Sequence, residues 1–145
     1  MSSNAPNRKT VRTALYDLLE PLSDGDYVHT VYNGIPTKDT FTTQSPVIIV
    51  SSQGSARAGM MLGSTQNNNL FTVAVSTWVA RESSNADDLL DDIEKLVTDL
   101  VSDNRSGDDW AAIYGDEDAS EISPGANENG KSYWVEYREF VIQKY

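Results

Sequence analysis

The chain has no cysteine, a single histidine and little lysine. Without cysteine there are no disulfides, thiol nucleophiles or thiolate metal ligands, so a cystine-stapled fold and thiol redox chemistry are excluded together. The lone histidine, His29, rules out a His-rich metal centre and serves a catalytic triad only if Ser and Asp converge on it from afar. Inside "YVHTVY" it reads as an ordinary strand residue. Long apolar runs are missing too. No window approaches the roughly 18 apolar residues of a membrane-spanning helix, and "MSSNAPNRKTVRTALYDLLEPL" lacks an apolar core of signal-peptide length. The expectation is a soluble protein made without an export signal.

Positive charge is scarce: 11 basic residues stand against 22 acidic ones, a formal net charge of −11. Such a surface repels an extended phosphate backbone, which makes free nucleic acid a poor partner. Aspartate dominates the acids, and lysine is confined to Lys9, Lys38, Lys95, Lys131 and Lys144. This bias keeps a surface hydrated when salt screens ordinary charge repulsion, so it fits either a high-salt source or an ordinary acidic surface.

The 145 residues suffice for one hydrophobic core and are too few for two. Residues 1–7 are small and polar and read as a flexible arm; 8–145 read as one domain. From Arg8 the positions Val11, Ala14, Leu15, Leu18, Leu19 and Leu22 recur at helical spacing, and Pro21 with "SDGD" ends that helix near Glu20 or Leu22. "YVHTVY" (27–32) reads as a strand, and "VIIVSS" after Pro46 as a central strand covered on both faces. "LFTVAVSTWV" alternates, with Phe71, Val73, Val75, Thr77 and Val79 on one face. A second helix follows at once in "ADDLLDDIEKLVTDL", with Ser84 or Asn85 as its cap and Asp87 and Asp88 near its positive end. A short strand or turn is expected around Trp110 to Tyr114 and an acidic loop over 115–131. The closing strand "YWVEYREFVIQKY" sets Trp134, Glu136, Arg138, Phe140 and Ile142 opposite Val135, Tyr137, Glu139 and Val141. This order predicts an α+β domain, two helices packed on a mostly antiparallel sheet.

Each candidate for chemistry weakens on inspection. "GSARAG" and "GMMLGS" lack the lysine and spacing of a phosphate-binding loop, and they read as flexible loop. Asp87, Asp88, Asp91 and Asp92 lie side by side on one helix face, whereas a divalent cation needs oxygens converging from several directions. "GDEDASE" lacks the alternating ligands and glycine of a calcium loop. Carboxylate pairs can be chosen from any polar segment and therefore point nowhere. Trp78, Trp110 and Trp134 are read as core or interface anchors in preference to a ligand cage. No catalytic residue, cofactor or metal is expected, and the chain is read as a non-enzyme.

The helix "VRTALYDLLEPL", the strand after a proline in "SPVIIVSS", the polar excursion of residues 53–69, the strand "LFTVAVSTWVA", the immediate helix "ADDLLDDIEKLVTDL" and the aromatic closing strand together resemble the tail terminator, or tail completion, proteins of long-tailed phages and related tailed viruses. The resemblance covers roughly residues 8–145 and lies in size, element order and hydrophobic pattern. It implies a structural virion protein of the tail and neck, assembled in the host cytoplasm. Such subunits form a ring, usually a hexamer, that caps the tail tube and joins it to the head connector or stopper, while DNA passes through without sequence-specific binding. An aspartate-rich example would fit a virus of a haloarchaeal host. The residues read as an interface lie in the 53–69 excursion, a long loop or a projecting hairpin: Arg57, Met60, Met61, Leu62, Asn67, Asn68 and Asn69. The alternatives are another head–tail connector or tail tube component, or a small monomeric ligand-binding or enzymatic α+β domain.

Overall fold

A computed structural model describes residues 7–24, 27–35, 45–58, 68–81, 85–107, 110, 112–115, 120–126 and 132–144. Helix α1 (Arg8–Leu19) starts at Asn7, whose side-chain Oδ1 accepts from the Thr10 backbone N–H at 2.8 Å and from the Thr10 hydroxyl at 3.0 Å. Asn7 is therefore the N-cap and no part of a loose arm, because an Asn three residues before a backbone donor satisfies one of the orphan N–H groups of the first turn. The helix runs on as a 3₁₀ turn, Glu20–Asp24, in which Pro21 is tolerated near the start and the Ser23 hydroxyl donates to the Glu20 carbonyl.

The sheet has six strands: β1 (Thr30–Asn33), β2 (Val47–Ala58), β3 (Asn68–Ala80), β4 (Ala112–Tyr114), β5 (Glu121–Ala126) and β6 (Ser132–Lys144). The spatial order is β1-β2-β3-β6-β4, with β5 also paired to β6. Among the described residues only β1 and β2 run parallel, so the fold is α+β with a mostly antiparallel sheet. β1 is shorter than the 27–32 expected from sequence. Its ladder opens at Thr30 opposite Val47, one residue past Pro46, which has no N–H to donate; the His29 N–H takes the Pro46 carbonyl at 2.8 Å.

One further expectation changes, and one of the alternatives left open for residues 53–69 is selected. The acidic stretch 115–131 contains strand β5, paired with β6 from Glu121↔Tyr137 to Ala126↔Ser132. Polarity concealed it, because an edge strand draws its pairing from backbone groups and needs no apolar face. In the 53–69 excursion β2 continues to Ala58 and β3 begins at Asn68, so its described residues belong to a hairpin ladder with a bulge at Gln53, between Ser52↔Val73 and Gly54↔Thr72. A bulge with an adjacent glycine bends a strand and raises its twist.

Helices α1 and α2 (Ala86–Asp103) cover one face of the sheet. The principal core joins Val11, Leu15 and Leu19 of α1 and Ile93, Val97 and Val101 of α2 to Ile48, Val50, Phe71, Val73, Val75, Phe140 and Ile142 of the sheet. The alternation of β3 places Phe71, Val73, Val75, Thr77 and Val79 all inside. On the opposite face a second apolar set, Val47, Ile49, Ala80, Tyr133 and Val135, gathers around Trp78, whose ring meets Tyr133 edge to face at 5.6 Å. Gly125 belongs to this set: a Cβ there would lie 2.8 Å from a Val135 methyl.

Phe140 is wholly buried between the helices and the sheet. Its replacement by Ala is expected to cost about 3 to 5 kcal/mol, against about 1 kcal/mol for Asn7→Ala, both read from urea midpoints. Equal costs would mean that the first turn of α1 is as integral to the fold as the core.

Candidate functional sites

Of the interface residues read from sequence, Arg57, Asn68 and Asn69 fall on the far part of the β2–β3 ladder. Arg57 stands opposite Asn69 and Ala58 opposite Asn68, two and three rows beyond the pairing of Ser55 with Phe71. Phe71 and its β6 neighbour Ile142 are fully buried, and Leu70 in the next row is half-buried. The ladder continues past them to Ala58 and Asn68. Met60, Met61, Leu62 and Asn67 lie outside the described residues, as does Ser84.

A second feature was not singled out from sequence. Glu136 and Arg138 share the buried face of β6 with Phe140 and Ile142, and they are only 6% and 5% exposed. One terminal nitrogen of Arg138, Nη1, donates to Glu94 Oε1 at 3.0 Å and also to Thr98 Oγ1, while the other, Nη2, donates to the Gly115 carbonyl at 3.1 Å. The Thr98 hydroxyl in turn donates to Glu94 Oε1 at 2.9 Å, and the guanidinium carbon lies 5.2 Å from the Phe140 ring centre. One side chain therefore ties β6 to α2 and to the segment after β4. Gly115 is required there: it sits at φ +104°, and a Cβ would come within 2.6 Å of the Glu139 carbonyl oxygen. The signal was present in the alternation of "YWVEYREFVIQKY", which sets two charges on the apolar face.

Glu136 accepts a short hydrogen bond from the Ser120 hydroxyl, the residue that leads into β5. Burial pushes its carboxyl above the usual carboxylate range, and the nearby Glu94 and Asp91 add to this, while the Ser120 bond and the Arg138 charge oppose it. Because the folded-state pKa exceeds the unfolded one, stability is fully present below the ordinary carboxylate pKa and falls as pH rises through the raised value.

Remaining candidates resolve into ordinary roles. His29 Nδ1 pairs at 2.6 Å with the hydroxyl of its neighbour Thr30. The outer side of α2 exposes Asp87, Asp88, Asp91, Asp92, Asp99 and Asp103, with Lys95 bridging to Asp99 at 2.8 Å. Among the described residues no group of three His, Cys, Asp or Glu side chains is placed to hold a metal ion. The three tryptophans are dispersed: Trp110 in the main core, Trp78 on the opposite face and Trp134 with Val79 and Leu90, where Arg81 lies 4.5 Å from its ring centre. They form no cage. An open cleft of about 300 Å³ lies between α1 and the segment after α2, lined by Ala14, Asp17, Leu18, Asn104, Ser106 and Trp110.

No protein-family model matches the chain, and a search of curated proteins finds no significant match.

Arg138→Met is expected to cost about 2 to 3 kcal/mol, below the usual figure for a fully buried pair because the Glu94 side chain is 38% exposed. Glu136→Gln should unfold at a higher urea concentration than the parent at about pH 8, with the gap closing towards about pH 4. A variant weaker than the parent at both values would mean that the bond from Ser120 outweighs the cost of burying the charge.

Proposed function

We propose that the chain is a tail terminator subunit of a long-tailed virus, assembling into a ring that caps the tail tube and connects it to the head. The observation that carries this reading is the β2–β3 hairpin, whose ladder runs on from the row of buried Phe71 to Ala58 and Asn68. Among the described residues the side of β2 turned away from β3 is paired by β1 only over Val47 to Val50, so its further backbone has pairing capacity to offer a neighbour. The order of elements supports the same reading: α1 first, the hairpin between two long strands, α2 directly after β3 and the aromatic β6 last. The ring subunit needs no reactive side chain, since capping a tube is a matter of shape and contact.

In this reading the partners are further copies of the chain, the tail tube protein below and a connector or stopper above. An acidic surface such as the outer side of α2 would let DNA slide past without sticking. The Asp-rich composition fits assembly at high salt, where hydrophobic contacts strengthen and charge repulsion is screened. A second reading, a small ligand-binding domain, is favoured by the cleft beside Asp17 and Asn104.

Mixed with preformed tail tubes of its virus, the purified protein is expected to bind at one tube end only and to stop further growth there. Removing residues 59–67 should abolish that capture while leaving the fold, read by circular dichroism, intact. Binding along the whole tube, or indifference to tubes in both low and multi-molar salt, would overturn the proposal.

A further inference from the structure

The sequence holds two Asn-Gly steps, Asn33-Gly34 and Asn129-Gly130. Glycine after asparagine favours spontaneous ring closure, because no Cβ shields the backbone nitrogen that follows. In that reaction the glycine nitrogen attacks the asparagine Cγ. A new N–Cγ bond forms, the Cγ–Nδ2 bond breaks, and ammonia departs with the proton of the backbone nitrogen, leaving a succinimide. Water then opens the ring at one of its two carbonyls and gives aspartate or isoaspartate. Nothing is oxidised or reduced, and water is the only co-reactant. Asn129 lies outside the described residues, whereas the surroundings of Asn33 are fully drawn.

Closure at Asn33 needs the Gly34 nitrogen released from its hydrogen bond and the Cγ free to swing onto it. The fold withholds both. Gly34 donates its N–H to the Val50 carbonyl at 2.7 Å, just past the last β1–β2 pair, Asn33↔Val50, so the nitrogen points along the sheet towards β2. The Asn33 side chain leaves the sheet towards α1, on the face that carries buried Val31. There its Oδ1 accepts from Arg12 Nε at 2.8 Å and its Nδ2 donates to Thr13 Oγ1 at 3.1 Å. Both ends of the amide are held by one helix, and the Cγ cannot turn to the backbone until those bonds break. Shielding by bulk contributes little: a Cβ built on Gly34 would have the Arg12 guanidinium carbon, 3.9 Å away, as its nearest contact beyond the chain neighbours. Asn33 is exposed, so water reaches the ring once it has formed.

We infer that Asn33 is a latent modification site, a deamidation position that Arg12 and Thr13 clamp shut and that opens when the first turns of α1 lift from the end of β1. The site stands apart from the ring reading, since nothing in it requires a second copy. The clamp sits close to the N-terminal end of α1, and helix ends open more readily than helix centres. The change is one-way. Aspartate at this position keeps the backbone and places a carboxylate beside Arg12. Isoaspartate adds one carbon to the main chain and displaces Gly34 from Val50, which removes the bond that closes the β1–β2 ladder.

The test follows the one-unit mass gain of the peptide containing position 33, in full-length protein kept in mildly alkaline buffer. The folded parent should convert Asn33 roughly tenfold more slowly than the same chain unfolded in urea. Arg12→Met and Thr13→Val, made separately and checked for parental helix content by circular dichroism, should each speed conversion of Asn33 in the folded chain roughly fivefold or more. Asn129 in the same samples serves as an internal clock and should keep its parental rate. Acceleration by either variant that is confined to Asn33 supports the clamp. A folded parent that converts Asn33 as fast as the unfolded chain overturns it, as do unchanged rates in both variants. Equal acceleration of Asn33 and Asn129 overturns it too, because the substitutions would then have loosened the whole fold.

Discussion

β6 is the strand on which the rest of the structure depends. It pairs with β3 along twelve registered positions from Asn69↔Lys144 to Ala80↔Tyr133, and its other side carries β4 and β5. Its inward side chains pass from apolar to charged within one strand: Phe140 and Ile142 fill the principal core, while Glu136 and Arg138 meet α2. A guanidinium out of water needs its donors satisfied, and Glu94, Thr98 and the Gly115 carbonyl supply acceptors from two different elements. The directional demand of that one side chain fixes where α2 lies over the sheet and where the chain after β4 turns.

The consequence for the surface follows from this anchoring. With Ile93, Val97 and Val101 turned to the sheet, the remaining positions of α2 present a nearly unbroken row of aspartates to solvent. The last turn holds no basic residue, and Asp99 and Asp103 stand near the negative end of the helix dipole. That arrangement costs local helix stability and persists because the buried stripe and the Arg138 bonds hold the helix.

Much of this was legible in the sequence, for identifiable physical reasons. Helical spacing located both helices, and strict alternation located β3 and β6 and sorted their side chains into two faces, since a half-buried strand must sort its side chains by period two. β5 was hidden because its pairing uses backbone groups and its side chains, Glu121, Ser123 and Pro124 among them, are those of a loop. The polar cluster was hidden for a different reason. Glu136 and Arg138 were placed on the right face, yet their partners Glu94, Thr98 and Ser120 come from segments distant in the chain, and only the folded geometry joins them. Of the interface residues named from sequence, Arg57, Asn68 and Asn69 stand on the hairpin ladder, and the others lie outside the described residues.

The central claim is that copies of this chain join into one closed ring. Native mass spectrometry of the purified full-length protein tests it most directly by counting subunits. A single dominant stoichiometry that persists on dilution is the result expected of a closed ring, with six copies the number the tail terminator reading favours. A monomer at every concentration and salt, or an open-ended ladder of sizes, would contradict it.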